Sequence, residues 1–375
     1  MVSLRLDRNE LAGAFGDLGT FIPLVTALII LNGLDPKSIF LTFGLLYMYS
    51  GLVFGMPLPV QPMKAMASIM ITEMYSPAFL LGAGLVTGVF FLILSLTNGI
   101  AFIHRFTPKS VVRGIQLGLG LNLILVAFRF MQKEYLIGWI LSLVGVIVVL
   151  VFLRSRRFPS ALILLSIGVG FSVFDGFQLE VFAHSISIGF PTFNLPSTVD
   201  IVQGTILLAL PQIPLTIGNA ILATSLLSQD YFKEKSRASV RRLTFSHGFM
   251  NLIAALLGGI PVCHGAGGLS GHYRFGARTG GAMVIIGVIL VTLGVFYGNA
   301  IVQVLSLLPF SILGVLLFFS GLELAFAVRD VTLNRRELFV ALFVAAVSVG
   351  IQYGYVLGLV GGVILARLIQ NRRKT

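Results

Sequence analysis

The stretch PLPVQPMKAMAS, Pro57 to Ser68, sets a glutamine and a lysine among three prolines in a region whose flanks read as membrane core. A lysine near the bilayer centre costs about 2.5 to 3.5 kcal/mol on insertion scales, so Lys64 is expected to face protein or a polar cavity. Downstream, GGIPVCHGAGGLSG, Gly258 to Gly271, repeats the design with His264 in place of the lysine. The chemistry such a pair supports is the capture of an anion. Lys64 brings a full charge, His264 a donor or a titratable group, and two helices starting at mid-membrane bring unpaired N–H groups and the positive ends of their dipoles.

The spacing supports two short helices. Pro57, Pro59 and Pro62 keep the chain extended, and Pro62 suits a first helical position because its missing N–H would be an orphan there. A helix from Pro62 to Glu73 spans about 18 Å, little more than half the apolar thickness of a bilayer. In the second stretch Gly265, Gly267, Gly268 and Gly271 allow close backbone approach, so donors near His264 and Gly265 face the same ligand as those near Met63. The plainer alternatives are simple helix kinks, an ion pair of Lys64 with Asp17 or Glu73, and a core histidine satisfied by its neighbours.

Further polar residues lie in the flanking spans. GAFGDLGTFIP, Gly13 to Pro23, carries Asp17 and Thr20; PQIPLTIGNA, Pro211 to Ala220, carries Gln212, Thr216 and Asn219 at i, i+4 and i+7. On an α-helix those three share one face, which suits either a cavity or contacts between helices. Glu323 is the other acid expected at membrane depth and, with Asp17, the candidate for carrying a coupling proton, while its place near the inner end of its span suits a solvated or ion-paired residue equally well. Arg274 lines the inner mouth or anchors its loop. HExxH, GxSxG and Walker patterns are missing, and His104, His184, His247, His264 and His272 are scattered. Cys263 is the single cysteine, so no internal disulfide, multi-cysteine metal cluster or cofactor is expected.

These residues sit in a chain of 375 residues that is 57% hydrophobic and 11% charged, with a mean hydropathy of +0.98. Such composition describes an all-α polytopic membrane protein. Apolar segments run near residues 11–31, 38–54, 60–72, 78–102, 110–130, 135–153 and 160–174, then 199–228, 240–257, 262–273, 280–296, 299–326, 337–350 and 353–369. Phe21-Ile22-Pro23-Leu24 reappears as Gln212-Ile213-Pro214-Leu215, and Gly55-Met56-Pro57 as Gly259-Ile260-Pro261. Two repeats of seven segments follow, residues 1–175 and 199–375, joined by a connector at 176–198. An odd number of spans inverts the second repeat relative to the first, the plan of secondary transporters. Arginine and lysine collect in alternate loops, which puts both termini in the cytoplasm and ties the net charge of +12 to the bilayer rather than to nucleic acid. No cleavable leader is expected, because no small-residue cleavage site follows the first apolar core.

GAFGDLGTFIPL, PLPVQPMKAMAS and PVCHGAGGLSGHYRFGARTGG together resemble the molybdate transporter family, which is related to the sulfate permeases. The resemblance covers essentially the whole chain. It implies a core domain and a gate domain, substrate held between the third and tenth segments, and uptake of molybdate or a similar tetrahedral oxyanion at the plasma membrane. The family's motifs fall on Gln61, Pro62, Met63 and Lys64 and on Cys263, His264, Gly265 and Ala266, with Thr20, Gln212 and Asn219 as polar partners. Sulfate permeases usually carry a soluble C-terminal regulatory domain, which is not expected here. Sulfate as substrate, a co-transported proton or sodium ion, and a homodimer are left open. The rival readings are a nucleobase permease of the same fold, which would use carboxylates where this chain has Gln212 and His264, and an anion channel.

Overall fold

Asp7 opens the chain's first helix by accepting from the Asn9 and Glu10 amides, at 2.9 and 3.0 Å. In the computed structural model, residues 4–97, 99–100, 108–152, 163–168, 170, 188–189, 191, 195–306 and 308–371 are described. Helices α1 (Arg8–Ala14) and α2 (Leu18–Asn32) form one apolar stretch bent by 41° at the residues between them. Then come α3 (Pro36–Phe54), strand β1 (Gln61–Pro62), α4 (Lys64–Glu73), α5 (Pro77–Thr97), α6 (Lys109–Gln132) and α7 (Tyr135–Phe152). The second half contains α8 (Thr198–Lys235), α9 (Val240–Leu256), strand β2 (Val262–Cys263) and α10 (Ala266–Arg274). It closes with α11 (Gly281–Ser306), α12 (Phe310–Phe326), α13 (Arg335–Gly350) and α14 (Gly354–Asn371). Among the described residues seven helices are long and apolar enough to cross a membrane, and the bent pair makes an eighth.

This order follows the expected segments closely. The eleventh and twelfth differ: α11 runs on to Ser306 and α12 starts at Phe310, where one segment over 299–326 was expected. Composition hides that break because both sides are apolar. Pro309 and Glu134 make it, since Pro309 is the cap residue of α12 and the Glu134 carboxylate accepts from Phe310 N at 2.7 Å. Most of the seventh segment and of the connector lies outside the described residues.

The helices sort into two bundles. In one, α3 packs on α11 and α5 on α9 and α8; in the other, α6 packs on α12, α13 and α14. Close backbone approach holds each bundle together. A Cβ on Gly44 would lie 2.6 Å from Gly287 O, and one on Gly120 would lie 2.5 Å from Gly321 O. Such small-residue contacts gain dispersion energy where lipid offers no hydrophobic driving force. Contacts of α4 with α6, α2 with α12, and α8 with α14 join the bundles. Helix α7 leaves Leu136, Ile137, Leu143 and Val151 largely exposed, the surface a bilayer would cover.

The repeat also shows in how the long spans are broken. Pro23 lies inside α2 and Pro214 inside α8. Residue 208, the counterpart of Asp17 at that same spacing, falls in a π-helical turn at Thr205–Ala209, so a bend in one half corresponds to a widened, underwound turn in the other. A second π turn, Thr216–Leu222, follows at once. Wide turns of this kind cluster at functional sites.

Candidate functional site

The two motif stretches meet as strands. Gln61 pairs with Cys263 and Pro62 with Val262 in a two-stranded antiparallel ribbon, and Met63 N donates to Pro261 O at 2.8 Å. Antiparallel pairing makes the chains leave the ribbon in opposite directions, so α4 and α10 start beside each other and point apart. Asn251 completes the far edge of β2: its Oδ1 accepts from Val262 N at 2.8 Å and its Nδ2 donates to Val262 O at 2.9 Å. The ribbon therefore sits inside protein with its polar backbone satisfied, as irregular backbone at membrane depth requires.

At the start of α4 the cap residue, Met63, provides no side-chain hydrogen bond. Gln212 supplies it from α8. Its Oε1 accepts from Ala65 N at 2.8 Å and from Met66 N at 3.3 Å, while its Nε2 donates to the Thr216 hydroxyl at 2.9 Å. Gln212 was expected to turn toward a ligand, and it instead closes the helix start. Asn219 was expected on the same face as Gln212 and Thr216. The π turn after Thr216 widens the helix and moves Asn219 out of that phase, leaving it half-buried beside Gly218, whose Cα faces open space.

Lys64 extends from the first position of α4 to Glu323 of α12, with Nζ 2.8 Å from Oε1. This ion pair joins the two bundles. The sequence pointed to Asp17 or Glu73 as a lysine partner, but an acid 259 residues away takes that place. The Lys64 side chain is 14% exposed and that of Glu323 is 55% exposed, so the pair stands at the inner wall of a cleft open to solvent.

Opposite, α10 begins at Ala266 with Gly265 as its cap and no side chain bonded there. The Ala266 and Gly267 amides find no acceptor among the described residues. Gly267 is exposed, and a Cβ there would meet only Glu323 Oε1, at 3.9 Å. Gly19, exposed in the first turn of α2, likewise has nothing within 4 Å, and Thr20 beside it is half-buried. Lys64, Glu323 and the first turn of α10 therefore adjoin one another at an exposed polar cleft.

Several expected contacts lie behind that wall. His264 is fully buried; its Nδ1 lies 2.7 Å from Pro59 O and its Nε2 2.8 Å from Ser246 Oγ, while its backbone N–H donates to His247 Nε2 at 3.1 Å. Both ring nitrogens are committed to the crossing of the two stretches, which is the satisfied-histidine alternative. Gln61 is buried and its Nε2 donates to Asp17 Oδ1 at 2.6 Å. Among the described residues Asp17 Oδ2 has no hydrogen-bond partner, and it would lie 2.8 Å from a Cβ on Gly268. Met63 and Cys263 are buried, Gly265 backs onto the Gln61 amide, and Ala266 is half-buried.

Ser246, His247, Asn251 and Thr224, whose hydroxyl donates to His264 O at 2.7 Å, support the crossing and were not singled out in the sequence. Ser246, His247 and Asn251 lie on the span that precedes the tenth segment and Thr224 on the eighth, and those places alone hinted at them. Arg274, the last residue of α10, is exposed, and Arg278 stacks on Tyr273 with its guanidinium 3.6 Å from the ring centre.

The sequence model described as the molybdate transporter of MFS superfamily matches residues 9–123 and 204–324, which include α4, α10, Lys64 and Glu323. The chain belongs to the molybdate transporter family. Within that family, Molybdate transporter 2 of Arabidopsis thaliana is 33% identical over 97% of this chain and 88% of its own length. Molybdate transporter 1 of Chlamydomonas reinhardtii is 26% identical over 95% of this chain and 91% of its own. Among solved structures, the transmembrane domain of a cyanobacterial bicarbonate transporter, BicA, superposes with a TM-score of 0.69 at 16% identity, covering 96% of this chain and 97% of that one. Murine Slc26a9, an anion transporter in its inward-facing state, gives 0.70 at 15% identity, covering 97% of this chain and 68% of that one. The molybdate transporter family member described here thus shares with them the fold of seven plus seven segments as inverted repeats, and is a multi-pass membrane transporter.

Proposed function

We propose that this protein moves a divalent tetrahedral oxyanion, molybdate first and sulfate second, across the plasma membrane by alternating access, with both termini in the cytoplasm. The observation that carries the reading is the Lys64–Glu323 pair at the meeting point of two short helix starts. In this reading the repeats are residues 1–175 and 199–375, and the bundle holding α4 and α10 carries the anion past the bundle holding α6 and α12.

Lys64 provides the charge and the Ala266 and Gly267 amides the backbone donors. Charge-assisted hydrogen bonds of this kind are about twice as strong as neutral ones. Glu323 occupies the lysine while the cleft holds no anion, so a buried charge is never left alone. An arriving dianion takes over Lys64, and the released carboxylate is pushed off by like charge. Because Glu323 belongs to the other bundle, that exchange loosens one tie between the bundles and allows the core to move. Asp17 Oδ2, unpartnered beside α10, offers a place for a co-transported proton or sodium ion.

Glu323, the exposed member of the pair, lies near the end of α12 that leads to Arg329 and Arg335, the arginine-rich side. At the other end, Glu73 and Tyr75 below α4 meet Tyr353 and Tyr355 at the α13–α14 turn around a cavity of about 20 Å³, room for about one water. This geometry supports an inward-facing state. Proteoliposomes preloaded with molybdate should drive counterflow of labelled molybdate, with tungstate and sulfate competing and uracil without effect. Flux that fails to saturate and shows no counterflow would establish a channel instead, and competition by uracil would favour the nucleobase reading.

A further inference from the structure

Away from the central cleft, α3, α5 and α9 meet at the arginine-rich end around a cavity of about 890 Å³. Arg237, Arg241 and Arg242 line it, and so do the apolar Val53, Leu96 and Phe245. The apolar lining is open rather than packed: Val53 is 46% exposed, Leu96 73% and Phe245 48%. Among the described residues, none of these three arginines forms an ion pair with an acid. The basic cluster of the other bundle differs, because Lys109, Arg113 and Arg329 all converge on Asp330.

We propose that this cavity binds an anionic phospholipid of the cytoplasmic leaflet, its phosphate held by Arg237, Arg241 and Arg242 and its acyl chains against Val53, Leu96 and Phe245. Three unpaired guanidinium forks suit phosphate oxygens, which they can hold in bidentate fashion. The N-terminus of α9, whose first turn contains Arg241 and Arg242, adds its dipole with the same sign. A basic recess between spans on the cytoplasmic side, with an apolar wall facing the bilayer, fits a lipid head and tail together. A zwitterionic lipid would bring its own cation to a site already holding three, so a headgroup with net negative charge is preferred. Free phosphate would use the arginines but leave the apolar wall in water. This inference does not rest on the identity of the transported anion.

The test uses the full chain, purified in a neutral detergent and titrated with phosphatidylglycerol, phosphatidylcholine or inorganic phosphate. Bound lipid is counted by native mass spectrometry, and protection is followed by thermal unfolding. Phosphatidylglycerol should be retained and should protect, with phosphatidylcholine and phosphate doing neither. The R237Q/R241Q/R242Q variant should hold phosphatidylglycerol about a hundredfold more weakly, at roughly fivefold per arginine near an anionic headgroup. R335Q/R336Q, which removes two exposed arginines at the start of α13, should match the unaltered protein, and both variants should bind molybdate normally. If the triple variant does not purify as a single species, R241Q alone should show the roughly fivefold loss. Equal retention of phosphatidylglycerol by the arginine variants, equal retention of the two lipids, or equal protection by inorganic phosphate would each overturn the proposal.

Discussion

Helices α4 and α10 hold equivalent places in the two repeats, yet their starts do opposite things. The start of α4 is closed: Gln212 Oε1 takes the Ala65 and Met66 amides, and Met63, Ala65 and Met66 are fully buried. What α4 sends into the cleft is a side chain, Lys64. The start of α10 sends no polar side chain, because Ala266 and Gly267 have none to send, and those two amides find no acceptor among the described residues. In the proposed site this pseudo-symmetric pair divides the work of holding an anion into charge from one repeat and directed donors from the other. The division makes physical sense, since two lysines would leave the empty site strongly charged and two bare helix starts would bind a dianion weakly.

The largest test of this contrast lies within α10 itself. Gly268 and Gly267 are adjacent, but a Cβ on Gly268 would lie 2.7 Å from Pro59 Cβ and 2.8 Å from Asp17 Oδ2, against an ordinary contact of 3.9 Å with Glu323 Oε1 at Gly267. G268A should therefore cost about 3 kcal/mol of stability and reduce the yield of folded protein, because Pro59, Asp17 and Gln61 crowd the added methyl in a buried site. G267A should unfold at the same temperature as the unaltered protein.

A smaller effect is expected where α4 is closed. Q212A leaves two buried amides without an acceptor and should destabilise by about 1 to 3 kcal/mol, read as a lower midpoint in thermal unfolding. If Gln212 instead faced the anion, the substitution would weaken binding and leave stability alone.

The smallest of the three concerns the donors of α10. A266P removes one amide hydrogen at a first helical position, where proline fits, and Gly265 already has the extended backbone that precedes a proline, with φ −68° and ψ 135°. Folding should be retained and molybdate affinity should fall about tenfold, the worth of one hydrogen bond to a charged group, measured by equilibrium binding.

Much of this was legible in the sequence. Pro57 and Pro261 with their glycines marked the two broken segments, and the repeat placed them opposite each other before any contact was known. What could not be read were pairings set by the packing of distant spans. Nothing local joins Lys64 to Glu323 or Gln212 to Ala65, which lie 259 and 147 residues apart. The placing of Asn219 failed for a different reason. Spacing of i, i+4 and i+7 assumes an α-helix, and a π turn in an apolar sequence leaves no mark in composition. His264 looked like a ligand because a histidine at membrane depth is costly. Its cost is met instead by Pro59 O and Ser246 Oγ, partners that only the crossing brings near.

The central claim is that Lys64 binds the anion and Glu323 stands in for the anion when it is absent. Equilibrium binding of molybdate to K64A, E323Q and the double variant tests it most directly. K64A should lose at least about a hundredfold in affinity, since it removes the charge and leaves a carboxylate facing the dianion. E323Q should gain about tenfold by freeing the lysine, and E323Q in the K64A background should recover part of the loss, a coupling the double-mutant cycle reads out. Affinity unchanged in K64A, or an equal loss in E323Q and K64A, would contradict the account.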